Sequence, residues 1–206
     1  MSLAKRGFSA AVYSYIAQIA TKVLNFLSAF FVISLLTVEE YGIFSLFQAV
    51  VALFLALTFG VPKVINRYYP EYEEKEDWYI IKMILLFSFL LRGLAVAVSS
   101  IILYIYRESF LDIFNIPASY SESIYFFCIY VFVYSLSHTF ECILLSQMQY
   151  KFKQLFQLVL HLFQICSIYY VLINGYGIHG IILIWLISNV IKLIAFSMKS
   201  LYHILD

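Results

Sequence analysis

An all-α, polytopic membrane fold is what this chain predicts, on three observations. Six long apolar stretches fill almost all of the 206 residues, hydrophobic residues make up 64% of the chain and charged ones only 12%. Its mean hydropathy is +0.91. A bilayer core of roughly 30 Å needs about 20 residues of helix at roughly 1.5 Å rise per residue, so six such runs leave little for a water-soluble unit. Barrel strands would instead alternate apolar and polar residues over about 10 positions, and these runs do not.

The first run, 11–36, follows a short basic segment from Met1 to Gly7. It is too long for the apolar part of a secretory signal and is broken by Gln18 and Lys22, so it reads as a retained span. The second, 43–62, is introduced by Thr37 and Glu40 at capping-box spacing and ends at Pro62. Residues 63–79 carry Glu71, Glu73, Glu74, Lys75, Glu76 and Asp77 and read as a solvated amphipathic connector, with Trp78 and Tyr79 as interfacial anchors for the third run, 80–105. Pro117, with Ser119 and Glu122 at the same capping spacing, precedes the fourth run, 123–147. The fifth and sixth, 155–173 and 179–198, are joined by Gly175-Tyr-Gly-Ile-His-Gly180. That hexapeptide matches G-x-G-x-x-G, but a dinucleotide site needs a preceding strand in a soluble βαβ unit, so it reads as a tight interhelical turn. All 206 residues thus form a single six-helix transmembrane lobe.

With the N-terminus in the cytoplasm, the inner segments hold Lys5, Arg6, Lys63, Arg67, Lys75, Lys151, Lys153 and Lys199, and the outer loops hold Arg107. The positive-inside rule then places both termini in the cytoplasm. A net charge of +1 with scattered basic residues excludes the usual nucleic-acid binder. Cys128, Cys142 and Cys166 fall inside apolar runs and read as small buried hydrophobes, with no metal or disulfide spacing. Walker, H-E-x-x-H and G-x-S-x-G motifs are absent, and Asp77, Asp112 and Asp206 lie in loops or the tail. No catalytic residue, cofactor or metal is therefore expected.

Ionisable residues at membrane depth are the candidate functional groups, since each charge there costs at least about 2.5 to 3.5 kcal/mol on insertion scales. Gln18, Lys22 and Asn25 share one face of the first span. Arg92 is central in the third, with Ser88 a turn before and Ser99 two turns after. His138 and Glu141 lie in the fourth, Gln157, His161 and Gln164 in the fifth, and Asn189 and Lys192 in the sixth. Lys22, Asn25, Arg92, Glu141, His161 and Lys192 are the expected lining of a shared interior whose field is positive and suits an anionic solute. The structural alternative is that some of them merely pair, Glu141 with Lys192 or His161, or that Lys192 snorkels to the interface. This reading requires that Lys22 and Arg92 open onto one water-reachable hollow.

The segment Leu35-Leu-Thr-Val-Glu-Glu-Tyr-Gly-Ile-Phe-Ser-Leu46, then Phe59-Gly-Val-Pro62 and Asn66-Arg-Tyr-Tyr-Pro-Glu-Tyr72, resembles the opening of bacterial polysaccharide-repeat flippases. These belong to the multidrug, oligosaccharidyl-lipid and polysaccharide exporter superfamily. Glu39, Glu40, Tyr41, Gly42 and Phe44 match the family's turn between spans one and two, whereas Val38 stands where proline is common. Gly60, Arg67 and Tyr68 also fit. The likeness is strong over residues 30–75 and looser at Gln147-Met-Gln-Tyr-Lys-Phe152 and the Gly175–Gly180 turn.

The resemblance implies one lobe of a two-lobe carrier that moves a lipid-linked oligosaccharide, on undecaprenyl diphosphate, across the bacterial inner membrane for O-antigen, lipopolysaccharide or other envelope polysaccharide. Lys22, Arg92 and Lys192 would attract the diphosphate, and Glu141 would carry a proton or switch salt bridges. The chain supplies one lobe: either the N-terminal half of a truncated or split gene, which is the preferred expectation, or a half that pairs with a second copy. A cation-coupled drug antiporter of the same superfamily and a nonfunctional fragment are the alternatives. A glycan polymerase or transferase would need large charged outer loops, and these are short.

Overall fold

The computed structural model describes the backbone of residues 3–56 and 60–205 and the side chains of 15, 16, 18–56 and 60–202. Phe59, part of the family likeness, lies outside the described residues, as do Asp206 and the side chains of Lys5 and Arg6. The helices in order are α1 (Leu3–Leu35), α2 (Val38–Ala56), α3 (Val61–Glu74), α4 (Trp78–Ile105), α5 (Arg107–Ile113), α6 (Ser121–Ser146), α7 (Tyr150–Ile173) and α8 (Gly177–Leu205). A 3-10 turn, Ala118–Tyr120, precedes α6. No strand occurs among the described residues. α1, α2, α4, α6, α7 and α8 are long and apolar enough to cross a membrane. The chain is an all-α, multi-pass membrane bundle.

Observed boundaries depart from the expected ones for local reasons. Thr37 and Glu40 do form a capping box: the Glu40 N–H donates to Thr37 Oγ1 at 3.2 Å, and the Thr37 N–H donates to Glu40 Oε2 at 3.0 Å. Because a capping box opens the helix at its next residue, α2 starts at Val38 rather than at 43. Pro62 does not close that span. It sits in the first turn of α3, where the missing N–H has no intrahelical partner to lose, and Gly60 supplies the left-handed entry at φ 91°. The second expected box does not form. The chain is already turning through Ala118–Tyr120, so Ser119 lies within that turn and no side chain caps α6.

The connector expected at 63–79 is mostly the amphipathic helix α3. Val61, Ile65 and Tyr69, four residues apart, are buried against α4 and α6, while Lys63, Arg67 and Glu71 face outward. Asp77 then caps α4 by accepting from the Ile80 N–H at 3.2 Å, which leaves Trp78 and Tyr79 exposed at the start of that span. α5 is a short helix that hydropathy did not foretell, since its apolar residues Phe110, Leu111 and Ile113 are interleaved with Arg107, Glu108 and Asp112.

α6 is the central helix, packed on α8, α4 and α3, whereas α1 packs chiefly on α7. Small residues on α6, Ser123, Ser135, Ser137, Thr139 and Ser146, are buried and let neighbouring helices approach closely. The tight turn expected at Gly175–Gly180 is present but shorter, confined to Asn174–Tyr176, because Gly177–Gly180 form the first turn of α8. Gly175 has φ 76°, and a Cβ on Gly180 would lie 1.9 Å from Val171 Cγ1, so α7 and α8 pack too closely there for any larger residue. Outer faces carry large apolar side chains such as Phe87, Leu90, Leu94 and Ile101, as lipid contact requires. Cys128 and Cys142 are buried, but Cys166 is exposed on α7, so only two of the three cysteines are buried core residues.

Candidate functional site

Polar residues of α6 divide between two sides of the helix. Ser135 and Thr139, one turn apart, meet α4, whereas Glu141 meets α7 and α8. His138 stands between the two groups.

On the α4 side lies Arg92, 2% exposed. Its Nε donates to Ser135 Oγ at 3.0 Å, and one terminal nitrogen meets His138 Nδ1 at 3.1 Å and donates to Thr139 Oγ1 at 3.4 Å. A guanidinium is only a donor, so Nδ1 must accept and the imidazole proton must sit on Nε2. Arg92 thus clamps α4 to α6 through neutral acceptors. Ser99 is not a partner: its hydroxyl donates to the Ala95 carbonyl one turn back in the same helix.

On the other side Glu141 accepts from three groups on two helices. Lys192 Nζ of α8 donates to Oε2 at 2.6 Å, Lys153 Nζ of α7 to Oε1 at 2.8 Å, and Gln157 Nε2 to Oε1 at 3.0 Å. Two ammonium groups against one carboxylate leave this cluster net positive. Lys192 does not snorkel; it is 8% exposed and held in the bundle. The alternative that pairs Glu141 with Lys192 is therefore realised, whereas no bond joins Glu141 to His161 among the described residues. Removing one partner of so buried a group costs about 3 to 5 kcal/mol, because the survivor is left desolvated and unpaired.

Three polar cavities adjoin along α7. Gln18, Thr21 and Lys22 of α1, with Lys153, Gln154 and Gln157, line one of about 240 Å³. A second, of about 320 Å³, lies among α6, α7 and α8; Tyr134, His138, Glu141, His161, Asn189 and Lys192 are in its wall. A third, of about 270 Å³, takes Asn25 and Ser28 of α1, Gln48 of α2 and residues of α7 and α8. Gln157 is common to the first two, and Gln164 and Trp185 to the last two. The polar faces of α1 and α7 foretold from spacing thus do line hollows, the one at Lys22 lying beside the first turns of the apolar stretches that begin at Gln18 and Tyr150.

The expected convergence is corrected at Arg92. It lies between α4 and α6 and lines none of these cavities, while Lys22 is exposed on α1 beside α7. Lys22 and Arg92 therefore do not share a vestibule, and α1 and α4 are not packed neighbours; the single hollow required of this pair is absent among the described residues, and what support for carriage remains lies in the cavities along α7. Of the six candidates, Glu141, His161 and Lys192 share one cavity, Lys22 lies in the next, Asn25 in the third, and Arg92 in none.

Sequence reasoning passed over Lys153, Tyr130, Tyr134, Trp185 and Ser188. Lys153 had been counted only as a topological charge, yet it is the first member of the series Lys153, Gln157, His161 and Gln164, at i, i+4, i+8 and i+11. Tyr130, Tyr134, His138 and Glu141 repeat the same spacing on α6. Compared with family models, with curated proteins and with solved structures, the chain matches none.

Proposed function

We propose that this chain is a transport lobe whose solute carries a polar, anionic head group, and specifically that it serves movement of a lipid-linked diphosphate oligosaccharide across the bacterial inner membrane, with both termini cytoplasmic. The observation that supports it is the polar lining contributed by α1, α6, α7 and α8 to adjoining cavities at the depth of apolar spans. Lipid gives no return for amides, histidines and charges in such a lining, whereas a passing polar solute and its water do. Lys22, which lines the cavity between α1 and α7 beside Gln18 and Gln154, is the group suited to the diphosphate, since Lys153 in the same wall is held by Glu141. The second half of the enclosure comes from another lobe, either a separate polypeptide stretch or a second copy.

A drug antiporter is disfavoured because Glu141, the carboxylate such a cation would seek, is already matched by two lysines. The test is reconstitution into proteoliposomes with a fluorescent polyprenyl diphosphate glycan and a membrane-impermeant quencher. Transport reads as loss of protection over time, and Lys22→Gln lowers its rate about tenfold, the equivalent of about 1.4 kcal/mol. Equal rates with and without the protein would overturn the reading.

A further inference from the structure

We infer that the cavity among α6, α7 and α8 is a subsite for a neutral, polyhydroxylated ring, a sugar residue, distinct from the cationic cavity between α1 and α7. This inference rests on the carrier reading and says where each part of the head group sits. Three features carry it.

The charges in this wall are already satisfied. Glu141 holds Lys192 at 2.6 Å and Lys153 at 2.8 Å, so the wall offers neither a spare carboxylate for an organic cation nor an unengaged ammonium group for a phosphate. What remains is hydrogen-bonding capacity of both kinds. Asn189 accepts from Ser137 Oγ at 3.3 Å and donates to the Trp185 carbonyl at 2.9 Å, keeping one amide hydrogen in reserve. Gln157 spends its amide nitrogen on Glu141 and keeps its carbonyl. His138 presents Nε2–H on the ring edge opposite its bond to Arg92.

Second, Ser188, 1% exposed and in the wall of this cavity, has a hydroxyl with no partner among the described residues. A buried hydroxyl without a partner costs about 1 to 3 kcal/mol, which a ligand hydroxyl bonded to it would return. Third, the wall is aromatic as well as polar. Trp185 lies 5.4 Å from the Tyr130 ring, and Tyr134 is a further 5.8 Å along. The apolar C–H faces of a pyranose rest on rings of this kind while its hydroxyls reach amides. A volume of about 320 Å³ sits at the low end of the roughly 300 to 1,000 Å³ of small-molecule sites, room for one ring with its water.

Trp185 borders this cavity and the one beside Asn25, and Trp78, the other tryptophan, lies at the start of α4, so emission reports binding in these two cavities and variants tell them apart. The experiment uses the full chain carrying Trp78→Phe, purified in a phosphocholine detergent so that no glycosidic head group competes. Its emission is titrated with the methyl glycosides of a neutral hexose, a 6-deoxyhexose and an N-acetylhexosamine, and in parallel with sodium pyrophosphate and tetraphenylphosphonium.

The expected result is a saturable change with at least one glycoside that neither ion displaces. Ser188→Val and His161→Phe, whose residues line this cavity and not the one beside Asn25, each added to that background, weaken it about fivefold, the scale of one hydrogen bond, and Lys22→Gln leaves it unchanged. Silence with all three glycosides overturns the inference, as does equal binding in both variants or displacement by tetraphenylphosphonium. Size-exclusion elution checks that each variant is folded, and either variant alone decides the matter. Glycoside binding without transport in proteoliposomes would sink the carrier reading alone; transport without glycoside binding would sink this subsite alone.

Discussion

The two sides of α6 hold charges at membrane depth in opposite ways. Towards α4, Arg92 is enclosed by neutral acceptors and borders none of the polar cavities described above. Towards α7 and α8, Glu141 is ion-paired and its cluster lines open volume. The difference teaches that an intramembrane charge is not by itself a functional residue. A guanidinium with several fixed donors can be satisfied as a helix clamp away from any cavity, whereas the Glu141 cluster is satisfied internally and still borders polar volume that a solute can enter.

Breaking the ion-paired side has the largest expected effect. Glu141→Leu leaves Lys153 and Lys192 unpaired and is expected to lower stability by about 3 to 5 kcal/mol, read as a fall in the midpoint of detergent-phase unfolding. Adding Lys192→Met is expected to recover part of the loss, so that the double-mutant cycle shows coupling of about 0.5 to 3 kcal/mol. Full additivity would mean that the Lys192 pair is incidental.

Breaking the clamp comes next. Arg92→Lys cannot span Ser135, His138 and Thr139 at once and is expected to cost about 1 to 3 kcal/mol of stability. Transport per folded molecule stays unchanged. A stable Arg92→Lys protein with slowed transport would place Arg92 back among the solute-binding groups.

Lys22→Gln sharpens the comparison from the other direction. An exposed side chain facing a cavity contributes within about 0.5 kcal/mol to stability, so this variant is expected to unfold like the parent while moving the anionic solute more slowly.

The smallest effect lies on α3, outside the spans. Lys75 donates to Glu71 at 2.8 Å, and that hydrogen bond holds the Glu71 carboxyl below its ordinary 4.5 and lifts Lys75 above its ordinary 10.5. Any stability from this exposed pair is present between those values. It is lost as pH falls below 4.5 through the lowered Glu71 value, and again as pH rises above 10.5 through the raised Lys75 value. Lys75→Ala is expected to leave the unfolding midpoint at neutral pH unchanged within error.

How much of this the sequence disclosed follows from what each feature depends on. The spans were legible because hydropathy is a property of each segment alone. The polar faces of α1 and α7 were legible because helical spacing gathers Gln18, Lys22 and Asn25, and Gln157, His161 and Gln164, without reference to neighbours. Arg92 was misplaced because its fate depends on which face of α6 carries Ser135, His138 and Thr139 towards α4, and that is a matter of packing. Lys153 was missed because its charge was assigned to an aqueous loop, although α7 begins at Tyr150 and carries it to Glu141. The capping signal at Thr37 was correctly seen, yet the start of α2 was set by where apolar residues become dense rather than by the cap.

The central claim is that water reaches the α1 and α7 side of the bundle within the membrane and does not reach the α4 and α6 clamp. Single cysteines placed at Asn25, Gln164 and Ser88, after Cys128, Cys142 and Cys166 are replaced by alanine, test it through reaction with a charged, membrane-impermeant thiol reagent in native membranes. Rapid labelling of Asn25→Cys and Gln164→Cys is expected, and none of Ser88→Cys, which is buried on α4 one turn from Arg92. Labelling of Ser88→Cys with protection of the other two would contradict it.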